Sequence, residues 1–346
     1  MNRRKTRKIQ VGKMHIGGNA TISIQSMLNT KTSDIQASLR QINDLEEAGC
    51  EIIRVAVPDK DAVESLAHIR KNTNLPLVAD IHFDPQMAVL SMPHVDKIRI
   101  NPGNIAKDSL NRIINAAKDH DVAIRVGINA GSLEKQVKEK YGISPLALVE
   151  SALSTIELFE KQNFERIVLS LKTSDVLNTI ESYKLISEKC DYPLHIGITE
   201  AGAGISGTVK SAIGIGTLLA EGIGDTIRVS LTDNPINEVK TGFEILKSLG
   251  LRDGCSVISC PTCARAEFDV IKLAGRIQKI TENVRKPLKI AVMGCAVNGP
   301  GEASESDIGV AGMKGQGLIF SRGKPIKTVD EKDILDELMK KIDDLI

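Results

Sequence analysis

The first 250 residues of the chain alternate between short runs rich in isoleucine and valine and longer amphipathic stretches. Such runs are typical of buried parallel strands, and apolar residues at helical spacing are typical of the helices that connect them. Eight runs occur, each followed by a helical stretch, at residues 21–26, 52–57, 77–82, 97–101, 123–129, 166–172, 194–199 and 226–231. Eight strand–helix units predict an α/β fold of the closed (β/α)8 TIM-barrel type, with a doubly wound open sheet as the alternative.

Residues 251–346 differ from this pattern, because they are richer in glycine and cysteine. Apolar runs at 287–295, 315–320 and 324–329 are followed by a charged amphipathic stretch over residues 330–346. This order is typical of a small α+β domain that ends in a helix. We therefore expect two domains, a barrel over residues 1–250 and a smaller α+β domain over residues 251–346.

Four of the eight predicted strands carry an arginine between β-branched neighbours: Arg54, Arg99, Arg125 and Arg228. Successive side chains of a strand point to opposite faces, so if isoleucine and valine face the helices, each arginine faces the barrel axis. The same alternation places further polar side chains inside the barrel, near the carboxyl ends of the strands, where active sites of such barrels form. These are Gln25, Asp80, His82, Asn101, Asn129, Ser170, Lys172, His195, Thr199 and Ser230.

The net charge of the whole chain does not show that cationic side chains are concentrated inside the predicted barrel. The formal net charge is +1 and aromatic residues make up 3% of the chain, which argues against a basic nucleic-acid binder and against a base-stacking platform. Inside the predicted barrel, however, Asp80 and Glu200 are the acids that the sequence places near four arginines and Lys172. Buried unpaired charge is costly, and guanidinium groups suit phosphate, so the pattern predicts a bound phosphate-type anion. Ion pairs with acids from loops are the alternative.

Three cysteines of the smaller domain, Cys260, Cys263 and Cys295, form the second candidate site. A redox-active dithiol or a zinc site is compatible with C-x-x-C alone. Every histidine lies at or before His195, so the smaller domain contains none. Three thiolates without a fourth cysteine or histidine suit a [4Fe–4S] cluster with one open or non-cysteine position. Glu302, in the tight segment NGPGE, is a candidate for that position, and an exposed turn glutamate is the alternative.

Other features of the sequence restrict the class of protein further. A G-x-G-x-x-G pattern at Gly202, Gly204 and Gly207 follows the seventh predicted strand, which disfavours a dinucleotide fold and suits a phosphate-binding loop of a barrel. Cys50, Cys190 and Cys255 show no pairing pattern, and Cys50 is expected in packing. The basic start MNRRKTRK, without an apolar run after it, is expected to be a solvated arm rather than a secretory signal. A cytoplasmic protein without nucleic-acid or membrane partners is therefore expected.

The barrel motifs and the cysteine motifs resemble those of the 4-hydroxy-3-methylbut-2-enyl diphosphate synthase family, bacterial two-domain type. The resemblance covers nearly the whole length of the chain. The resemblance is carried by long stretches of sequence, among them IQSMLNTKTSD, PLVADIHFD, KIRINPGNI, SLKTSD, YPLHIGITEAG, ISCPTCAR and VMGCAVNGPGEA. It implies the reductive, two-electron ring opening and dehydration of 2-C-methyl-D-erythritol 2,4-cyclodiphosphate to (E)-4-hydroxy-3-methylbut-2-enyl diphosphate. It also implies flavodoxin or ferredoxin as the electron donor, and a homodimer in which the cluster domain of one subunit closes the barrel of the other.

The same resemblance implies a role for each candidate residue. Ligands of a [4Fe–4S] cluster would be Cys260, Cys263, Cys295 and Glu302. Substrate-binding residues would be Arg54, His82, Arg99, Asn101, Arg125, Asn129, Lys172, Thr199, Arg228 and Ser230. Glu200 and Glu302 would be the catalytic carboxylates. Two other classes remain open, a zinc-dependent barrel transferase and a non-catalytic iron–sulfur carrier, and neither requires the combination of a cationic barrel and an iron cluster.

Overall fold

The structure is a computed structural model that describes residues 2–81, 84–129, 131, 133–296 and 303–345. The chain divides into two compact units, Met1–Leu251 and Arg252–Ile346. Two of the predicted site residues, His82 and Glu302, lie outside the described residues. Within the described part of the chain, no helix is both long enough and apolar enough to cross a membrane.

The first unit begins with a short antiparallel hairpin, β1 (Ile9–Val11) and β2 (Met14–Ile16). Eight parallel strands follow, namely β3 (Ser23–Met27), β4 (Ile52–Ala56), β5 (Leu77–Asp80), β6 (Lys97–Ile100), β7 (Ala123–Asn129), β8 (Ile167–Lys172), β9 (His195–Ile196) and β10 (Thr226–Ile227). The helices between and after them are α1 (Ile35–Glu47), α2 (Lys60–Lys71), α3 (Pro85–Ser91), α4 (Lys107–Asp119), α5 (Lys135–Tyr141), α6 (Pro145–Lys161), α7 (Val176–Lys189), α8 (Gly204–Ala220) and α9 (Pro235–Ser248).

The eight strands pair in the order β8-β7-β6-β5-β4-β3-β10-β9, and each neighbouring pair is parallel. The two ends of this order meet where the Leu169 amide of β8 donates to the carbonyl oxygen of Pro193 at 2.9 Å. Leu169 also forms a parallel bridge with Leu194, just before β9. This contact closes the sheet, and the predicted TIM-type barrel is confirmed.

Local sequence signals explain where several barrel helices begin. Six of them start after a residue whose side-chain oxygen accepts a hydrogen bond from a backbone amide of the first turn, which satisfies an amide that has no helical partner. The capping residues are Asp34, Asp59, Asp84, Ser144, Asp175 and Asn234. Each cap fixes the start of a helix whose apolar face then packs on the outside of the barrel.

The hairpin β1–β2 closes the amino-terminal end of the barrel. Its side chains pack against the first inward-facing residues of four strands, and we call this cluster the floor of the barrel. The floor consists of Ile9, Val11, Ile16, Ile52, Val78, Ala123 and Val168. The sequence analysis did not predict this hairpin, because three-residue strands carry almost no periodicity.

The expectation of a solvated basic arm at the amino terminus is wrong. Arg3 pairs with the buried Asp225 at 3.1 Å, and Arg4 Nη1 donates to the Cys190 carbonyl oxygen at 2.6 Å. Arg7 Nε donates to Asp191 at 2.7 Å. The basic residues therefore fasten the segment before the hairpin to the barrel, because they pair with acids and carbonyl oxygens at its amino-terminal end.

The described residues of the second unit form a five-stranded sheet and two α-helices. Its elements are β11 (Cys255–Ser259), α10 (Val270–Ile280), β12 (Leu288–Met293), β13 (Ile308–Met313), β14 (Gln316–Ser321), β15 (Lys324–Asp330) and α11 (Ile334–Asp343). Strands β11, β12 and β13 are parallel, whereas β14 and β15 continue the sheet antiparallel. Ile277 of α10 and Leu338 of α11 lie in one cluster with residues of the sheet, so both helices cover the same face. A smaller cluster with Met293 and Phe320 lies on the other face, where Cys260 contacts it.

Candidate functional site

The arginines of the barrel strands face inward, as the alternation of side chains predicts. Ile98 and Ile100, which flank Arg99, are fully buried in the core between sheet and helices. The register pairs Asp80 with Arg99 and Arg99 with Arg125 across adjacent strands. These side chains therefore form one level inside the barrel, and the arginines at this level are at most 8% exposed.

Asp80 holds two of the arginines. Arg54 Nη2 donates to its Oδ2 at 3.0 Å, and Arg99 Nη1 donates to its Oδ1 at 3.0 Å. Asp80 is 1% exposed, so both ion pairs lie in a medium of low polarity where they are strong. One carboxylate against two guanidinium groups nevertheless leaves a positive charge uncompensated.

Arg228 has a carboxylate partner that the sequence analysis missed. Its Nη2 lies 3.3 Å from Oε1 of Glu238 on α9. Glu238 is 4% exposed and also accepts from Ser26 Oγ at 3.1 Å and from the Leu231 amide at 3.0 Å. A signal was present in the sequence, because Glu238 is an acid at helical spacing on the buried face of α9.

Arg125 and Lys172 have no carboxylate partner within the described part of the chain. Arg125 Nη2 donates to Ser170 Oγ at 3.0 Å, while its Nε and Nη1 find no acceptor among the described residues. Burial lowers the pKa of Arg125 well below its ordinary value, and the neighbouring cations Arg54 and Arg99 lower it further. The pKa of Lys172 is likewise lowered well below its ordinary value by burial and then by Arg125 and Arg228.

The arginine pattern has two interpretations, a bound anion and ion pairs with acids, and they apply to different residues. Arg54, Arg99 and Arg228 form ion pairs, but with Asp80 of strand β5 and Glu238 of helix α9 rather than with the loop acids of the alternative. Arg125 and Lys172 have no carboxylate partner in the described part of the chain, and burial together with the neighbouring cations lowers the pKa of both. We call the set of inward cations Arg54, Arg99, Arg125, Lys172 and Arg228 the cationic interior. An anion with several oxygen acceptors would satisfy the donors that this interior leaves without partners.

Two glycines leave room for these long side chains. A Cβ at Gly197 would lie 2.6 Å from Lys172 Nζ, and a Cβ at Gly127 would lie 3.0 Å from both Arg99 Nε and Asn101 Oδ1. Both positions face inward at the level of the cations. Any larger residue at either position would therefore push a cation out of its place.

The remaining predicted polar residues lie at or near the carboxyl ends of the strands. Asn129, Thr199 and Glu200 line a cavity of about 480 Å³ together with Lys172. Glu200 is exposed and has a φ of 53°, an unusual conformation for a residue with a side chain. Asn101 is 4% exposed and its Oδ1 has no partner among the described residues. Ser230, two residues after Arg228, is half-buried.

The glycine pattern after the seventh barrel strand has a packing role. Helix α8 begins at Gly204, and a Cβ at Gly207 would lie 2.4 Å from the Gly202 carbonyl oxygen. Gly202 has a φ of 103°, which favours glycine. The glycines thus allow a tight turn into the helix, and the phosphate-binding role of this loop stays a prediction.

The cysteine segment of the second unit folds back on the end of β12. The Gly294 amide donates to Cys260 Sγ at 3.1 Å, and the Glu267 amide donates to the Gly294 carbonyl oxygen at 2.8 Å. This arrangement brings Cys260 next to the residue that precedes Cys295. Cys263 is exposed, and hydrogen bonds from Arg265 lower the pKa of its thiol.

The donor chemistry of this segment fits an iron–sulfur cluster. The lowered pKa of the Cys263 thiol favours the thiolate, which is the form that binds metal, and the Gly294 amide orients the Cys260 sulfur. Among the described residues, no three histidine, cysteine, aspartate or glutamate side chains are grouped closely enough to hold a metal ion. The predicted fourth ligand, Glu302, lies outside them.

Cys50 is 3% exposed, and burial raises the pKa of its thiol to about 12, as expected of a packing residue.

The fold and these sites define a TIM-barrel protein with a cationic interior and a cysteine-bearing α+β domain. A family model described as the GcpE TIM-barrel domain matches residues 6–243, and the GcpE protein C-terminal domain matches residues 256–344. The chain belongs to the GcpE family, so the resemblance inferred from the motifs is confirmed.

Relatives of high identity cover the whole chain. A protein of Caldanaerobacter subterraneus subsp. tengcongensis is 57% identical over 348 residues, which are 99% of this chain and 98% of the relative. A protein of Aquifex aeolicus is 54% identical over 100% of this chain and 98% of the relative. Both are named 4-hydroxy-3-methylbut-2-en-1-yl diphosphate synthase (flavodoxin). Among solved structures, Yersinia pestis dihydropteroate synthase is 11% identical and covers 70% of this chain and 100% of its own, with a TM-score of 0.52. This likeness concerns the barrel fold alone.

Proposed function

We propose that this enzyme converts 2-C-methyl-D-erythritol 2,4-cyclodiphosphate into (E)-4-hydroxy-3-methylbut-2-enyl diphosphate. The reaction takes up two electrons and one proton, opens the ring by breaking a carbon–oxygen bond to phosphate, and releases one water. The observation that carries the proposal is the buried pair Arg125 and Lys172, which has no carboxylate partner among the described residues and whose charged forms an anion would stabilise. The names of relatives that are more than 50% identical over the chain supply the identity of that anion.

The cationic interior would bind the diphosphate group of the substrate. Guanidinium forks donate paired hydrogen bonds to phosphate oxygens, so they fix the orientation of the group as well as its position. Asp80 and Glu238 would act as positioning residues, because their ion pairs hold Arg54, Arg99 and Arg228 before the ligand arrives. Polar contacts from the strand ends would fix the rest of the substrate, and the residues proposed for them are His82, Asn101, Asn129, Thr199 and Ser230.

A [4Fe–4S] cluster would be held by Cys260, Cys263, Cys295 and Glu302. When bound, such a cluster supplies the two electrons and an iron that acts as a Lewis acid toward a substrate oxygen. The amide of Gly294 would hold the Cys260 sulfur in its orientation. The reduced thiols that this requires suit a cytoplasmic protein, and flavodoxin is the proposed donor, with ferredoxin as the other candidate. A homodimer is proposed for the assembly.

Glu200 would supply the proton. Its carboxyl group lies at the rim of the cavity that also contains Lys172, so it is placed near one end of a bound substrate. There it would donate a proton to the hydroxyl oxygen that leaves as water. The unusual φ of Glu200 is consistent with this role, because strained backbone is frequent at functional positions.

The proposal is tested with holoenzyme that is reconstituted anaerobically, the cyclic diphosphate and reduced flavodoxin. We expect about four iron atoms per chain, broad absorption near about 400 nm, and the linear diphosphate product in the mass spectrum. Stoichiometric zinc without iron would refute the cluster. An iron-loaded enzyme that binds the cyclic diphosphate but forms no product with a competent donor would refute the reaction.

A further inference from the structure

A lysine that the proposed reaction does not use lies one level below the arginines of the barrel. Lys97 precedes Arg99 by two residues on β6, so it also faces inward. The register pairs it with Val78 on one side and with Ala123 on the other, and both of these belong to the floor. Lys97 is 0% exposed. The backbone of Lys97 therefore lies at the level of the floor, and its side chain is buried inside the barrel, where Arg125 and Arg54 act on it.

The amine of Lys97 has no partner there. Within the described residues Nζ makes no hydrogen bond, and the same is true of Nδ1 and Nε2 of His195 and of Oγ of Ser23. His195 and Ser23 both pair in register with Thr226, so they lie at one level on three adjacent strands. Buried polar atoms without protein partners indicate bound water or a changed protonation state.

The charged groups around Lys97 mostly repel a second positive charge. Arg125 on β7 and Arg54 on β4 act against its ammonium form. Asp96, next to Lys97 in sequence, favours that form, but it is already paired with Arg70 at 3.0 Å. Burial, followed by the two arginines, lowers the pKa of Lys97 to about 7.

The other titratable groups of the interior do not offset this repulsion. Asp80 on β5 is shared by two arginines, Arg228 on β10 is paired with Glu238, and the pKa of Lys172 on β8 is itself lowered well below its ordinary value by burial and the arginines. His195 on β9 has its pKa lowered well below the ordinary value by burial and then by Arg125. The hairpin presents apolar side chains to the floor, and β3 presents Ser23 and Gln25. In a barrel without an anion, the neutral amine is thus the favoured form above about pH 7.

We propose that Lys97 is a proton-binding site linked to the anion site, and that its amine takes up one proton from solvent when a diphosphate occupies the cationic interior. The physical reason is Coulombic. A dianion among Arg54, Arg99 and Arg125 cancels the repulsion that Arg125 and Arg54 exert on the ammonium form of Lys97. The protonated lysine then adds one more positive charge beneath the bound anion. The identity of the natural ligand rests on the proposed function, but the linkage itself does not.

The linkage is measured by calorimetry on the oxidised holoenzyme without an electron donor, so that binding occurs without turnover. The cyclic diphosphate lacks the second ionisation near about pH 6 of a phosphate monoester, so any protons taken up belong to the protein. Titrations at pH 8 in two buffers of different ionisation enthalpy should show uptake of at least about half a proton per ligand. Affinity should also weaken, by up to about tenfold per unit, as the pH rises above 8.

Three variants decide whether Lys97 is the site. In Lys97→Met, the share of the uptake that belongs to Lys97, at least about half a proton at pH 8, should be lost, and the affinity should become lower and less dependent on pH. In Lys97→Arg, which keeps the charge but does not titrate, the same share should be lost, so this variant serves if Lys97→Met fails to fold. Any uptake that remains in both variants belongs to Lys172, whose pKa is also lowered by burial and by the neighbouring cations. His195→Gln should keep the wild-type uptake. Unchanged uptake in both Lys97 variants, or loss of uptake in His195→Gln, would overturn the proposal.

Inorganic sulfate separates this inference from the proposed function. Sulfate keeps its charge over the whole range and would occupy the same guanidinium groups, so it should also drive proton uptake that depends on Lys97. If the enzyme formed no product from the cyclic diphosphate but sulfate still drove this uptake, the proposed function would fail and the linkage would stand. If neither anion drove uptake, the linkage would be refuted whatever the reaction.

Discussion

Replacing Arg125 with methionine should stabilise the ligand-free barrel and weaken anion binding at the same time. Arg125 is 3% exposed, lacks a carboxylate partner among the described residues, and lies beside two other guanidinium groups. Its charge is therefore unfavourable until a ligand arrives. The matched change, Arg228→Met, should weaken binding in the same way but should destabilise the barrel, because it leaves Glu238 buried without its cation.

The magnitudes follow from the different partners of the two arginines. Replacing a buried ion pair by apolar side chains of similar volume is neutral or stabilises proteins by about 1–4 kcal/mol, and we expect a gain of this order for Arg125, which has no carboxylate partner among the described residues. Breaking a buried ion pair costs about 3–5 kcal/mol, and we expect about 2–4 kcal/mol for Arg228→Met, since Ser26 and the Leu231 amide still donate to Glu238. Each variant loses one or two charge-assisted hydrogen bonds to phosphate, worth about 1.5–3 kcal/mol each, so affinity should fall by roughly 10-fold or more.

The positions of the tyrosines allow the unfolding of the barrel to be followed separately from that of the second unit. There is no tryptophan, and the three tyrosines, Tyr141, Tyr183 and Tyr192, all lie in the unit Met1–Leu251. Tyrosine absorbance during denaturant unfolding of cluster-free protein therefore reports on the barrel. Calorimetry with the cyclic diphosphate gives the affinities, and iron content of the reconstituted variants shows that the cysteine domain is unchanged. Stability shifts of the same sign in both variants would refute the assignment of surplus charge to Arg125.

Three further results are expected. Cys263→Ser should lose most of the iron and the activity, whereas Cys255→Ser, buried in the sheet core, should keep both; normal iron in Cys263→Ser would remove it from the ligand set. Ile16→Ala should lower the free energy of unfolding of the barrel by about 2–5 kcal/mol by the tyrosine signal, because it opens a cavity in the floor, and an unchanged value would contradict that packing. Glu200→Gln should lower kcat by about 100-fold or more with an affinity for the cyclic diphosphate close to wild type. A weakened affinity with an unchanged kcat would make Glu200 a binding residue instead.

The barrel strands could be predicted because their signal is local. Isoleucine and valine on one face and polar groups on the other identify a strand without knowledge of its partners. Sequence analysis missed strands β11 and β13 and helix α10 of the second unit, because their sequences do not show this local pattern clearly. In β13, Gly309 stands where a Cβ would lie 2.5 Å from Phe320 on the neighbouring strand, so the residue is small because of a tertiary contact. The sequence of such a strand carries little strand signal by itself, and the strand is recognised only when its neighbour in the sheet is known.

The inward direction of the arginines was likewise predictable, but their partners were not. Glu238 follows Arg228 by ten residues and reaches it only because α9 packs on the closing strands. Lys97 shares the alternation of Arg99, yet its position in the floor depends on the hairpin β1–β2, which has almost no sequence signal. Thr199 and Glu200 share a cavity with Asn129 because the barrel is closed between β8 and β9.

The sequence by itself determined the kind of interior this protein has. Alternation within a strand depends on two neighbouring peptide units, so it places cations on the axis of any barrel that forms. The tertiary structure decided which of those cations are neutralised. Ion pairing requires charged atoms from distant segments to approach within hydrogen-bonding distance, and only the closed barrel sets those distances. It gives carboxylates to Arg54, Arg99 and Arg228, and it leaves Arg125, Lys172 and Lys97 without one in the described part of the chain.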